Sequence, residues 1–433
     1  MFKRLTNLKI DNLYSSVKPL TYLSFLSGLT PFKKNAQDKF EAISGIGLGF
    51  TLFHLFIFFY CFMSSVGVGE TIIGHFFKSS ITQIGNAAQI VSEMVATVTI
   101  LVLSFVNRGK LVDIFNKLAD VDKCLEKLGQ KLDYNHIFKY SVITAVCITI
   151  FNITYLGAAY GLLHSAEMNP SLSVFITFAM PHINICLTVF KFISITNLVK
   201  RRFAMVNRVL TSIIETYPTD IDSQQQILLP YLDHHSDAKR LSRASFKTTV
   251  QNNPLKALKR FSKVHNLICD ACDVIEDYFQ YQILTIVMIS FILILFGAYY
   301  ILEVVIGWGK IEDKFHKEEF LGFFGLEMVL YAIITLSIIE SSSLTTRESQ
   351  KAVMCIHKLL NLTDDLEMKD RLMRLSKQVV YRRIHFTAAG MFNLDRTLIF
   401  TMAGAATTYL IILIQFRNHD GGQLYKLNQA YET

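Results

Sequence analysis

Charge is scarce in this chain of 433 residues. Asp, Glu, Lys and Arg make up 18% of it, against about 25% in soluble domains, while 51% is hydrophobic. That balance argues against a soluble globular protein. Tryptophan is nearly missing: Trp308 stands alone against 34 Phe. No segment alternates apolar and polar residues with a period of two, which argues against a transmembrane β-barrel. No short repeat marks a solenoid. There is no nucleophile–base pair, phosphate loop or recognised metal-ligand spacing, so no enzyme, cofactor or metal is expected. The first apolar run starts only after 42 polar-leaning residues, too late for a cleaved signal peptide.

What is present is a set of long apolar runs. A membrane-spanning helix needs about 20 largely apolar residues, and seven stretches qualify: 43–66, 84–106, 141–163, 172–198, 283–306, 320–344 and 395–416. The expected class is therefore an all-α polytopic membrane protein with seven transmembrane helices. Basic residues fall on one side of it. Segments 1–42, 107–140, 199–282 and 345–394 together carry 35 Lys and Arg, whereas 67–83, 164–171, 307–319 and 417–433 carry 6. The positive-inside rule then puts the N-terminus in the cytoplasm and the C-terminus outside. The basic surplus is read as cytoplasmic loops in a lipid bilayer, not as a nucleic-acid surface.

Cysteine usage agrees with this topology. Cys61, Cys124, Cys147, Cys186, Cys269, Cys272 and Cys355 all avoid the outer segments, so no extracellular disulfide is expected. The outer segments also carry no Asn-x-Ser/Thr sequon. Cys269 and Cys272 have a CxxC spacing without a partner pair, and packing on one helical face is the favoured reading.

The domain plan follows. Residues 1–42 form a cytoplasmic N-terminal segment. Residues 43–344 hold helices one to six, with cytoplasmic extensions in 107–140 and 199–282, as a ligand-binding bundle. Residues 345–394 are cytoplasmic anchor helices, 395–416 the seventh helix and 417–433 a short extracellular tail. Three-to-four spacing of apolar residues predicts amphipathic helices over 108–133, 255–280 and 348–380, each burying a stripe against other helices or other subunits. Residues 215–253, with Pro218, Pro230 and His234-His235, read as a flexible loop.

Ionisable groups at bilayer depth seek a partner or water. Lys191 is expected to snorkel to the inner surface, Glu340 to pair near it, and Glu303 to sit wet near the outer end. Glu93 and Glu327 lie deeper on otherwise apolar helices. Near the same depth are Asn86, Gln89, Tyr155, His182, Asn184, Tyr299, Tyr300 and Tyr331. Glu327 and Tyr331 are four apart and share a face. The group reads either as a small-molecule pocket or as interhelical hydrogen-bond glue.

The seventh stretch differs in kind. It is rich in small and hydroxylated residues: Thr397, Thr401, Gly404, Ala405, Ala406, Thr407 and Thr408. Thr408, Ile412 and Gln415 share a face. If several copies met at an axis, Ile412 would form a dewetting constriction with Gln415 as its polar neighbour.

The segment from Ala388-Ala389-Gly390 through Thr408-Tyr409-Leu410-Ile411-Ile412-Leu413-Ile414-Gln415-Phe416 resembles the C-terminal signature of insect gustatory receptors: Thr-Tyr, five mostly apolar residues, then Gln-Phe. Every fixed position is met. Lys200-Arg201-Arg202-Phe203 and Thr346-Arg347-Glu348-Ser349 also look like family stretches, and the topology matches. The resemblance implies a ligand-gated, non-selective cation channel of sensory-neuron plasma membrane. It implies a homotetramer, or a heteromer with related receptors, opened by an extracellular small-molecule tastant and passing monovalent and divalent cations. Carried over by motif, Ile412, Gln415 and Phe416 form the gate region, with Tyr409 packed behind the pore helix. A Phe-rich pocket containing Glu suits an apolar or amphipathic tastant, bitter compounds included, better than a sugar.

Two other readings compete. A G-protein-coupled-type receptor needs an outside N-terminus, against the charge rule, and the Asp-Arg-Tyr and Asn-Pro-x-x-Tyr signatures are missing. A secondary transporter would be expected to show two related halves, and no half-to-half similarity is found.

Overall fold

The structure is a computed structural model that describes residues 12–29, 32–34, 40–42, 44–68, 80–165, 171–215, 253–306 and 317–432. Most of the expected loop, with His234-His235, lies outside the described residues, as does Trp308.

Each of the seven apolar runs forms a helix long and apolar enough to cross a membrane. In chain order the elements are α1 (Leu13–Ser16), α2 (Lys18–Leu26), β1 (Phe32–Lys34), β2 (Phe40–Ala42), α3 (Ser44–Val68), α4 (Ser80–Val106), α5 (Arg108–Glu126), α6 (Tyr134–Ser165), α7 (Leu172–Ile214), α8 (Pro254–Ile306), α9 (Lys317–Leu362), α10 (Leu366–Tyr381), β3 (Thr387–Ala388), β4 (Phe392–Asn393) and α11 (Thr397–Glu432). The spanning helices are α3, α4, α6, α7, α8, α9 and α11.

Helix length decides the architecture. At 1.5 Å per residue, the 53 residues of α8 reach about 80 Å, well over twice a hydrocarbon core of about 30 Å. Helices α7, α8 and α9 therefore continue as uninterrupted rods into a second bundle beyond the membrane. Helix α4 does so with a break: Asn107 ends it and α5 restarts at Arg108.

The amphipathic stripes find each other in that second bundle. Leu111, Ile114, Phe115, Leu118, Val121 and Leu125 of α5 are buried, and α5 packs on α8, whose Leu258, Phe261, Val264, Ile268, Ala271 and Ile275 are buried in turn. The expected single helix over 348–380 is instead two. Helix α9 ends at Leu362, and Asp365 caps α10 by accepting from the Glu367 amide at 3.0 Å. The turn puts Leu366 at the exposed start of α10, while Leu372, Leu375 and Val379 face inward. The short turn folds α10 back so that it packs on both α9 and α8.

A buried ion pair ties three elements at this end. Arg202 of α7 donates through Nε and Nη2 to the two Asp122 oxygens of α5 at 2.8 and 2.7 Å, and through Nη1 to the Leu198 carbonyl at 2.8 Å. The Tyr134 hydroxyl at the start of α6 donates to the same carboxylate at 3.0 Å. Such a bidentate fork satisfies both charges while excluding water.

Two small hairpins depart from the all-helical plan. β1 pairs with β2, Phe32 opposite Ala42, in a segment where no strand was expected. β3 pairs with β4, Thr387 opposite Asn393. Its turn uses Ala389 and Gly390 with positive φ, 52° and 71°, a conformation glycine adopts readily and alanine rarely. The Thr387 hydroxyl donates to Glu276 of α8 at 2.5 Å, so the hairpin docks on α8 between α10 and α11.

Candidate ligand-binding cluster and pore helix

Within the spanning region the polar residues converge at the end opposite the second bundle. Glu93 lies midway along α4, His182 early in α7 and Glu327 early in α9, while Tyr155 lies late in α6. All four are buried. Gln89, one turn before Glu93, joins them: its Nε2 donates to Glu93 at 3.2 Å and to Glu327 at 2.9 Å. His182 Nε2 is 3.8 Å from the Glu327 carboxylate.

The local fold positions His182. Pro181, inside α7, has no N–H to donate to the turn before it. In that turn the His182 Nδ1–H donates to the Phe178 carbonyl at 2.7 Å. Aromatic rings hold the imidazole from several sides. Tyr155 stacks on it at 5.3 Å, Phe178 tilts against it at 4.4 Å and Tyr331 meets it edge-on at 5.5 Å. Nε2 is thereby turned toward the two carboxylates.

Of the residues expected in a pocket, Gln89, Glu93, Tyr155, His182, Glu327 and Tyr331 come together. Asn86 borders the same small cavity of about 40 Å³, together with Gln89, Glu93, Thr177 and Phe178. Asn184 is buried but lies two residues from His182, about 200° around the helix, and so faces away. Tyr299 is buried too, and beside it the ring of Tyr300 meets Phe324 of α9 at 4.9 Å. The Tyr300 hydroxyl and the Phe296 ring fill the space a Cβ at Gly85 of α4 would take. Phe178 was missed in the sequence; its position four residues before His182 was the available signal.

A larger cleft, about 530 Å³, opens on the flank between α6, α7 and α9 beside Lys200 and Glu340. It shares no residue with the cluster.

Three charged residues settle differently from expectation, or as expected, for clear reasons. Lys191 does not snorkel: it is buried, with Nζ 5.8 Å from the Tyr278 ring centroid, because α7 is enclosed by its neighbours and an aromatic face serves the ammonium. Glu303 is not wet: it is 1% exposed and lies 3.4 Å from Arg417 of α11. Glu340, midway along α9, does pair, with Arg396 just ahead of α11 at 2.9 Å.

Helix α11 stands apart. Only 6% of its apolar window is buried within the chain, against 61% for α7. It rests on α8, where Phe291 meets Tyr409 edge-on at 6.2 Å. Thr401, Gly404, Thr407, Thr408, Ile412 and Gln415 are all exposed. Helix α3 is also uncovered, but it exposes Phe53, Phe56, Phe59 and Tyr60, which suit lipid. Helix α11 also exposes Phe400, Tyr409, Ile411 and Phe416, but Thr401, Gly404 and Thr408 form a separate small or hydroxylated row.

Residues 17–418 match the family profile described as 7tm Chemosensory receptor. Gustatory receptor 28a of Drosophila melanogaster is 40% identical over 417 residues, covering 94% of this chain and 92% of that protein. Gustatory receptor 28b of the same fly is 33% identical over 432 residues, covering 98% and 90%. Among solved structures, the insect olfactory receptor OR5 from Machilis hrabei in complex with eugenol superposes with a TM-score of 0.62 at 12% identity, over 93% of this chain and 98% of that one.

Proposed function

Because the chain belongs to the 7tm chemosensory receptor family, among the insect gustatory receptors, we propose that it is a taste receptor that is itself a ligand-gated, non-selective cation channel. Four chains surround an axis lined by α11. Ile412 forms the dry constriction, Thr408 and Gln415 flank it as wettable groups, and Phe416 closes the gate region. Monovalent and divalent cations pass when it opens. The basic loops face the cytoplasm of a sensory neuron, and the short segment after α11 lies outside. Heteromers with related receptors are built on the same plan.

One observation carries this reading: the last apolar helix leaves a hydroxylated, small-residue face uncovered by its own chain. Such a face is poorly matched to acyl chains and well matched to water and to other copies of itself. The tastant acts on the buried polar cluster among α4, α6, α7 and α9. The eugenol-bound olfactory receptor, which has the same fold, supports a small-molecule ligand.

The test is recording from cells that express this chain alone. Single cysteines at 408, 412 and 415 should let a water-soluble thiol reagent block tastant-evoked current, with 415 modified even when the channel is shut. Saturable tastant uptake without current, or cysteines that never react, would remove the pore assignment.

A further inference from the structure

We propose that Glu93, His182, Glu327 and Gln89 form a binding site for one divalent first-row transition-metal ion of the zinc class, clamping α4, α7 and α9 together. Four observations converge on this. First, one ligating atom from each of Glu93, His182 and Glu327 lies within 4.8 Å of the others, and all three residues are buried. Metal–oxygen and metal–nitrogen bonds of about 2.0–2.2 Å put ligand atoms about 3.3 Å apart. Closure of the site is thus a matter of side-chain rotation, with no helix movement.

Second, the imidazole is set up as a ligand. Its Nδ1–H is already given to the Phe178 carbonyl at 2.7 Å, the outer contact that fixes the tautomer of metal-bound histidines. Its Nε2 is buried, has no hydrogen-bond partner and faces a carboxylate 3.8 Å away. Third, Gln89 already spans both carboxylates through Nε2. Turning its amide over presents Oε1 instead, a fourth donor on the same centre.

Fourth, charge and size select the occupant. Two carboxylates excluded from water are neutralised either by protons or by about two positive charges, and one divalent ion supplies both charges at a single centre. The adjoining cavity, about 40 Å³, has room for an ion and a water beside the carboxylates. The imidazole favours a zinc-class ion over calcium or magnesium, which prefer all-oxygen sets.

Metal binding rests on this geometry alone; an effect of metal on current rests on the channel reading as well. The experiment uses the full chain in lipid nanodiscs, stripped with a chelator and titrated with Zn²⁺, then with Co²⁺ for its visible spectrum. One Zn²⁺ per chain is expected. His182→Ala and Glu327→Gln should each weaken binding at least tenfold, and a low-coordinate Co²⁺ band should be lost with them. If a variant does not fold, X-ray absorption of the wild-type zinc complex decides: one imidazole among oxygen ligands supports the site, and thiolate or all-oxygen ligation overturns it. Binding undiminished by His182→Ala overturns it, as does stabilisation by ethylammonium without any by zinc. A chain that conducts but takes no zinc sinks this site alone; a chain that binds zinc but never conducts sinks the channel reading alone.

Discussion

Arg417, at the end of the final apolar run, lies 3.4 Å from the carboxylate of Glu303, which is buried on α8. At the other end of the same helix Arg396 holds Glu340 of α9 at 2.9 Å. These two ion pairs and the packing on α8 fasten the proposed pore helix to its own subunit. A rearrangement of α9 at the polar cluster would therefore be felt at α11.

Breaking the deeper pair should alter gating. Arg417→Gln leaves Glu303 as an uncompensated buried charge, while the double variant with Glu303→Gln removes both charges. Truncating one partner of a buried pair costs more than removing both. Tastant dose–response curves should thus shift more in Arg417→Gln than in the double variant; equal shifts would mean that the pair is not coupled.

The constriction should respond to the loss of apolar bulk. Ile412→Ala removes about 2 kcal/mol of apolar contact in a closed, dry gate. Basal current should rise about tenfold or more, since 1.4 kcal/mol is a factor of ten. Gln415→Ala should change permeability ratios with less effect on basal current. Reversal potentials in bi-ionic solutions measure this.

Glu93→Gln and Glu327→Gln keep side-chain volume and remove charge. Both should shift tastant sensitivity while leaving single-channel conductance at the wild-type value, because the cluster lies on α4, α7 and α9 and not on α11. A conductance change without a sensitivity change would place these residues on the ion path.

Close packing of α4 on α8 should be sensitive to a single methyl. A Cβ at Gly85 falls on the Tyr300 hydroxyl and the Phe296 ring. Gly85→Ala should lower stability by about 1–3 kcal/mol, the cost of overpacking, read as a lower thermal midpoint in detergent. Gly85→Ala combined with Tyr300→Phe should recover part of it.

In the second bundle, Arg202→Met strands the Asp122 carboxylate among apolar side chains. The expected cost is about 3–5 kcal/mol, visible as lost surface expression. Arg202→Met with Asp122→Leu should be far closer to wild type.

Much of the fold was legible before any coordinates. Runs of about 20 apolar residues announce spanning helices because the bilayer gives the backbone no other partner. The stripes over 108–133 and 255–280 announce amphipathic helices because burial follows the helical period. The turn at 363–365 was not legible, since the apolar spacing on its two sides nearly continues. The hairpin at 387–393 was missed because its strands are two residues each, too short to show any period.

Sequence alone fixed the membrane class, the number of spans, the segregation of basic residues and the unusual chemistry of the last helix, because each depends on composition along a single segment. Tertiary structure decided which buried groups meet. Lys191 faces Tyr278, Glu303 faces Arg417, and Glu93, His182 and Glu327 converge from three helices far apart in the chain. Depth along a helix can be counted from its ends, but the direction in which a side chain points depends on neighbours contributed by distant segments.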